Sequence, residues 1–191
     1  MRIEKLKRNY ELEVRLVHFP LHPETPPEGV SLDALFGGRA DDQTRKARQA
    51  RMKGLMDAEG LPYGERTHSY NSRLAQELGK WADTQQGGGA IHDALYKAYF
   101  VEGRNIGDPA VLVQIAQSVG LSPEGAGKVL NERSFKDALD ADWTMSREMG
   151  VTGVPTLAAA GHGVVGAQPY EVLEKLLKAA GAQPRQADKQ Q

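Results

Sequence analysis

An α/β fold is expected, in which a small strand-bearing unit is interrupted by a large all-helical insertion. Three observations carry that expectation. Val14-Arg15-Leu16-Val17-His18-Phe19 is rich in β-formers and is closed by Pro20, which has no N–H to give a ladder, so it reads as a strand. From about Asp41 to Gly150 the start and stop signals are all helical. Beyond them, Thr156 to about Ala159 and Val164-Val165 are short strand candidates, followed by an amphipathic closing helix.

Taken in order, Ile3, Leu6 and Tyr10 lie at helical spacing among charges, so residues 1 to about 10 read as the last turns of an amphipathic helix with no capping signal before it. Pro23, Pro26, Pro27 and Gly29 mark a rigid, extended loop after the first strand. Asp41 or Asp42 can cap a helix to Gly60, and Asn71 or Ser72 one through Trp81; a third runs from Ile91 to Glu102 and stops at Gly103. Asp108-Pro109 pairs an N-cap with proline at the first helical position, in a run that stops at Gly120, and Ser122-Pro123 repeats the device. A last helix of the insertion, around Phe135 to Met149, ends at Gly150. Gly161-His162-Gly163 is the expected hairpin turn, because glycine accepts positive φ at little cost. Val172, Leu173, Leu176 and Leu177 form the apolar face of the closing helix, Pro169 to Ala180.

Composition excludes several classes. Apolar residues make up 40% of the 191, enough for a core, while 24 basic and 25 acidic residues are interspersed, leaving no footprint for nucleic acid or a membrane surface. The first residues hold no apolar block of the signal-peptide kind and no run approaches spanning length, so the cytoplasm is the expected compartment. The chain contains no cysteine, which removes disulfides, thiolate nucleophiles and Cys-based metal sites from its own chemistry.

Other motifs weaken in context. Gly161-His162-Gly163-Val164-Val165-Gly166 matches the dinucleotide fingerprint letter by letter, but that fingerprint needs a helix opening directly on the phosphate, and here the helix opens late, at Pro169. His18, His22, His68, His92 and His162 are scattered, and Pro20 between the first two opposes the helix that would align them on a metal; no metal and no cofactor are expected. His18 reads as a strand residue meeting its hydrogen-bond partners, and His162 as a turn-tip residue. Asp137, Asp140 and Asp142 read as a solvated helix face, and Trp81, Tyr96, Tyr99, Phe100 and Trp143 as packing residues.

Val154-Pro155 stands at a loop-to-strand junction between β-branched residues, where the tertiary amide makes a cis bond only mildly unfavourable; cis is expected there. The segment Gly150-Val151-Thr152-Gly153-Val154-Pro155-Thr156 joins Phe19-Pro20-Leu21-His22-Pro23, Tyr70-Asn71-Ser72-Arg73-Leu74-Ala75, Ala98-Tyr99-Phe100-Val101-Glu102-Gly103 and Gly166-Ala167-Gln168-Pro169. In these segments, over nearly the whole chain, the sequence resembles the thioredoxin superfamily, and within it the DsbA-like branch of FrnE-type oxidoreductases. The resemblance implies a thioredoxin-like fold lacking its first strand, from residues 1–40 and 150–183, interrupted by a DsbA-like helical insertion at 41–149; residues 184–191 read from their polar composition as a disordered tail.

It also implies protein thiol–disulfide exchange, with an extended or unfolded peptide substrate docking at a cis-proline loop. Val154, Pro155 and Thr156 would carry that substrate-binding role. The departure is at the front: the family's first strand, and the Cys-x-x-Cys pair that follows it, have no counterpart here. No catalytic residue is therefore assigned, the chain as given is expected to be redox-inactive on its own, and whether it is an enzyme stays open. The preferred expectation is that the natural protein continues upstream of Met1 with the missing strand and cysteines, against a real truncation, because losing that strand would leave unpaired edges. Two alternatives stand beside this reading: a redox-dead peptide-binding or chaperone module, and a relative of kappa-class glutathione transferases or hydroxychromene-carboxylate isomerases. Nucleic acid and membrane are not expected as partners, and homo-oligomerisation is left open.

Overall fold

A computed structural model describes residues 2–35, 37 and 41–185. By its internal contacts the chain divides into two compact units, Met1–Leu21 with Asp142–Gln191, and His22–Ala141.

The first unit holds α1 (Arg2–Asn9), the hairpin formed by β3 (Thr156–Ala159) and β4 (His162–Val165), and α9 (Tyr170–Ala179). Leu6 and Tyr10 of the N-terminal helix and its exit meet Leu173 and Leu177, with Leu157, Ala159 and Val164 of the hairpin packed alongside. That is the i, i+4 face of each helix turned inward. Polar contacts fix the same arrangement: Arg2 donates to the carbonyls of Ala167 and Gln168 at 2.9 Å each, and the Tyr10 hydroxyl donates to Glu174 at 3.1 Å.

The second unit holds β1 (Val30–Ser31), the single-turn α2 (Leu32–Leu35), α3 (Asp42–Ala58), β2 (His68–Ser69), α4 (Arg73–Ala82), α5 (Ala90–Phe100), α6 (Pro109–Ser118) and α7 (Pro123–Glu132). Its core is built from α4 to α7, with Leu78, Ile91, Leu112 and Ala126 fully buried. Tyr99 and Phe100 meet edge-on at 4.7 Å between centroids, and Trp81 is buried, so the aromatic residues of these helices pack as expected. The helix starts are as local chemistry dictates: Asp41, Asp108 and Ser122 accept from the backbone N–H of Thr44, Ala110 and Gly125. α8 (Lys136–Glu148) runs across the boundary between the units.

Several expectations are corrected. Val14 to Phe19 is not a strand: no strand among the described residues pairs with it, and β-propensity without a ladder partner fixes no sheet. The hairpin turn lies one residue earlier than expected. Ala159 pairs with His162, leaving Ala160 and Gly161, at φ +47° and +79°, as a two-residue turn of the primed kind, so His162 opens β4 rather than tipping the turn. The unit boundary falls at 21/22 rather than 40, because the proline-rich loop is stitched to the helices. Asn71 donates to Thr25 O at 2.6 Å, Asn105 donates to Pro27 O at 3.1 Å, and β1 pairs antiparallel with β2. The second boundary falls at 141/142 rather than 149. Of the expected tail, Pro184 bridges Tyr10 and the Arg185 N–H donates to Asn9 O at 2.9 Å, while 186–191 lie outside the described residues.

The aspartates of α8 are not one solvated face. Asp137 is fully exposed, but Asp140 belongs to an ion-pair cluster and Asp142 is 1% exposed. In that cluster Glu77, wholly buried, receives both nitrogens of the Arg133 fork at 2.6 and 2.7 Å and Arg73 Nε at 3.2 Å. Arg73 also reaches Asp140, which accepts from Lys136 at 3.0 Å. The hydrogen bonds from Lys136 and Arg73 hold the Asp140 carboxyl below its ordinary range, and the Glu77 carboxylate pushes Arg133 up.

Candidate functional site

Gly150, at φ +68°, ends α8: its own N–H reaches Arg147 O and that of Val151 reaches Ser146 O. The chain then runs through Gly153 into Val154, Pro155 and Thr156. The Val154–Pro155 peptide bond is cis.

The loop is tied on the side of the hairpin. Thr156 Oγ1 donates to Gly153 O at 2.6 Å, and Thr156 pairs with Val165 as the first rung of the ladder. The Gly166 N–H donates to Pro155 O at 2.7 Å, and the Gln168 side chain donates to Val165 O at 2.7 Å, so Gly166-Ala167-Gln168 closes the open end of the hairpin around the proline. Gly166 sits at φ +88°, a conformation that glycine adopts without Cβ strain.

Val154 is left unpaired. Its side chain is 49% exposed, and neither its N–H nor its C=O makes a hydrogen bond among the described residues. Val165, 51% exposed, lies on the adjacent strand end. Val154 and Pro155 thus form an exposed apolar ridge that ends on the half-buried Thr156, with a free backbone donor and acceptor at Val154.

The ridge has no acid–base chemistry of its own. Between Gly150 and Gln168 the sole ionisable side chain is His162, which is three rungs up the ladder from Thr156, about 10 Å away. Among the described residues no group of histidine and carboxylate side chains is placed to hold a metal, and no helix is long and apolar enough to cross a membrane. A backbone edge flanked by apolar side chains can hold an extended chain.

Sequence reasoning did not find the Glu77 cluster, whose members come from α4, the end of α7 and α8, nor a cleft beneath α3. The first carried no local signal. For the second, the recurrence of Arg45, Arg48, Met52 and Leu55 on one helical stripe was the available sign.

The model of the DSBA-like thioredoxin domain matches residues 1–178. The fold is similar to the crystal structure of a probable DsbA oxidoreductase from Streptomyces coelicolor, at 27% identity and a TM-score of 0.83, over 97% of this chain and 85% of that one. It is also similar in fold to a 2-hydroxychromene-2-carboxylate isomerase, at 18% identity and a TM-score of 0.65, over 94% of this chain and 85% of that one. The uncharacterized protein YwbO of Bacillus subtilis is 30% identical over 111 residues, 58% of this chain and 55% of YwbO, so the match spans about half the length of that relative. The match to residues 1–178 places this cysteine-free chain in the DSBA-like thioredoxin domain family.

Proposed function

We propose that this chain supplies the substrate-docking part of a thiol–disulfide exchange site, with Val154, Pro155 and Thr156 holding an extended or unfolded polypeptide as an added strand. The observation that carries the reading is the free backbone of Val154, exposed beside Pro155, whose carbonyl is tied to Gly166. Strand addition draws its affinity from such main-chain groups and its selectivity from flanking side chains. In thiol–disulfide exchange a thiolate attacks a disulfide sulfur through a mixed disulfide. No residue here supplies that sulfur, so the chain alone binds without exchanging. Family membership and the oxidoreductase with a similar structure support the reaction class.

The test uses a fluorescein-labelled peptide of a reduced, carboxymethylated protein and fluorescence anisotropy. Binding by the full chain is expected, weakened at least tenfold by Val154→Pro, which removes the free N–H, and little changed by Val154→Ile. Insulin reduction by the chain alone is expected to stay at the uncatalysed rate. Equal peptide affinity for Val154→Pro and the parent chain refutes the docking role, and measurable insulin reduction refutes the statement on chemistry.

A further inference from the structure

Within the helical unit a cleft of about 590 Å³ lies under α3, against Leu32 and the segment from Tyr63 to Thr67. That volume is in the range of sites for small organic ligands, roughly 300–1,000 Å³. α3 is an unusual helix to find over it. Its 17 residues include none that is buried among those described, and Met52 and Leu55 stand 41% and 56% exposed, both on the cleft wall. Isolated helices of this length are marginal in water, and helical stability in proteins comes chiefly from packing an apolar face. The apolar face of α3 is formed but covered by nothing among the described residues.

The helix brings charge and apolar surface side by side. Arg45 and Arg48 occupy the N-terminal half of the wall, Arg51, Met52 and Leu55 its C-terminal half, and Arg45 to Leu55 spans about 15 Å of helix. Arg66 adds a fourth guanidinium from the opposite side, where it lies over the rings of Tyr99 and Phe100 at 4.4 and 5.0 Å. Among the described residues the single carboxylate on the wall is Asp33, and Arg45 pairs with it at 3.0 Å. Arg51 makes no ion pair or hydrogen bond among the described residues. Arg66 Nε is buried with no hydrogen-bond partner. The guanidiniums of Arg51 and Arg66, without an ion pair among the described residues, beside bare methionine and leucine are complementary to one chemical class.

We propose that the cleft under α3 binds an anionic amphiphile of fatty-carboxylate type, its carboxylate at Arg51 and Arg66 and its apolar body along Met52, Leu55 and Tyr63. Arg is suited to this because its fork matches a carboxylate with two parallel hydrogen bonds. The ligand would supply the packing that α3 lacks. The cleft shares no residue with the Val154 ridge, and its occupancy does not depend on the docking role proposed there.

The test titrates the full chain with dansyl-undecanoate, following the rise in dansyl emission. One probe per chain is expected, displaced by dodecanoate and not by dodecanol or dodecyltrimethylammonium. Arg51→Glu is expected to weaken it at least tenfold, the scale of one lost charge-assisted hydrogen bond. Met52→Asp should do the same through the apolar wall, and circular dichroism of both variants should match the parent chain without ligand. Since Arg51 is exposed and has no ion pair among the described residues, Arg51→Gln serves as a second variant of low folding risk, expected to weaken binding less than Arg51→Glu. Equal binding of dodecanol, or affinity unaltered by both Arg51→Glu and Met52→Asp, overturns the proposal. So does a chain that fails to take up the probe and sediments as a dimer that Met52→Asp dissociates, since the cleft would then be an interface between copies.

Discussion

Removing Glu77 and removing Arg133 break the same ion pair but should not cost the same. Glu77 is wholly buried, whereas the Arg133 and Arg73 side chains keep 39% and 25% of their exposure. In Arg133→Met the carboxylate stays out of water with Arg73 Nε, at 3.2 Å, as the partner left to it. Stranding one charge of a buried pair costs about 3–5 kcal/mol. In Glu77→Met the stranded groups are guanidiniums that water reaches, and Arg73 keeps Asp140. Replacing the buried acid by an apolar side chain of similar volume should then cost between about 0 and 2 kcal/mol. The double variant Glu77→Met/Arg133→Met should be more stable than Arg133→Met alone. Arg133 occupies φ +53°, but methionine pays the same left-handed penalty there, so the comparison isolates the charge. Urea unfolding followed by Trp81 fluorescence, in a Trp143→Phe background so that only the helical unit reports, measures the order. If Glu77→Met is as destabilising as Arg133→Met, the cost does not come chiefly from keeping an unpaired acid out of water, and the reasoning fails.

The cluster also sets an acid limit. Because Asp140 titrates below its ordinary value in the folded chain, its contribution is fully present above the unfolded carboxylate pKa, near 4, and is lost as pH falls through the lower folded value. Asp140→Asn should therefore flatten the fall in stability of the helical unit below about pH 4 while lowering stability at pH 7, read from urea midpoints across pH. Leu6, 1% exposed between Leu173 and Leu177, should cost about 2–5 kcal/mol as Leu6→Ala, seen in loss of near-ultraviolet signal from Tyr10 and Tyr170. Asp108→Ala should lose about 1 kcal/mol because its carboxylate caps α6, while Ser72→Ala, whose hydroxyl makes no cap bond, should cost less than half of that in the same urea assay.

Helix starts were legible because a cap is a contact within four residues: Asp41, Asp108 and Ser122 each announce themselves in sequence and each accepts the bond. Features that depend on a distant partner were not. The two-residue pairing of Val30 and Ser31 with Ser69 and His68 crosses nearly forty positions and has no periodicity to read. The hairpin was found and its turn misplaced, because Gly161-His162-Gly163 looked the easier place for positive φ, yet Ala160 takes it and the register follows. Of the site, the loop at Val154 to Thr156 was visible as a local motif. The cleft under α3 was not, since Arg51 and Arg66 are brought to one cleft by tertiary structure.

The segment from Val14 to Phe19 shows what separates a strand from a sequence that favours one. Its β-branched and aromatic residues prefer a pleated, half-buried surface, a preference worth at most about 1 kcal/mol per residue. Here Val14, Leu16 and Val17 stand 43%, 60% and 37% exposed, so neither face is consistently covered and alternation has nothing to act on. What holds the backbone at its far end is polar. The His18 N–H donates to Asp142 Oδ2 at 3.2 Å, from a carboxylate that is 1% exposed. Asp142 is thus a buried main-chain acceptor, a role that its place among the aspartates of α8 concealed. Propensity proposes the extended conformation of 14–19, but without a ladder partner among the described residues it is this side chain that takes up one of the segment's backbone donors.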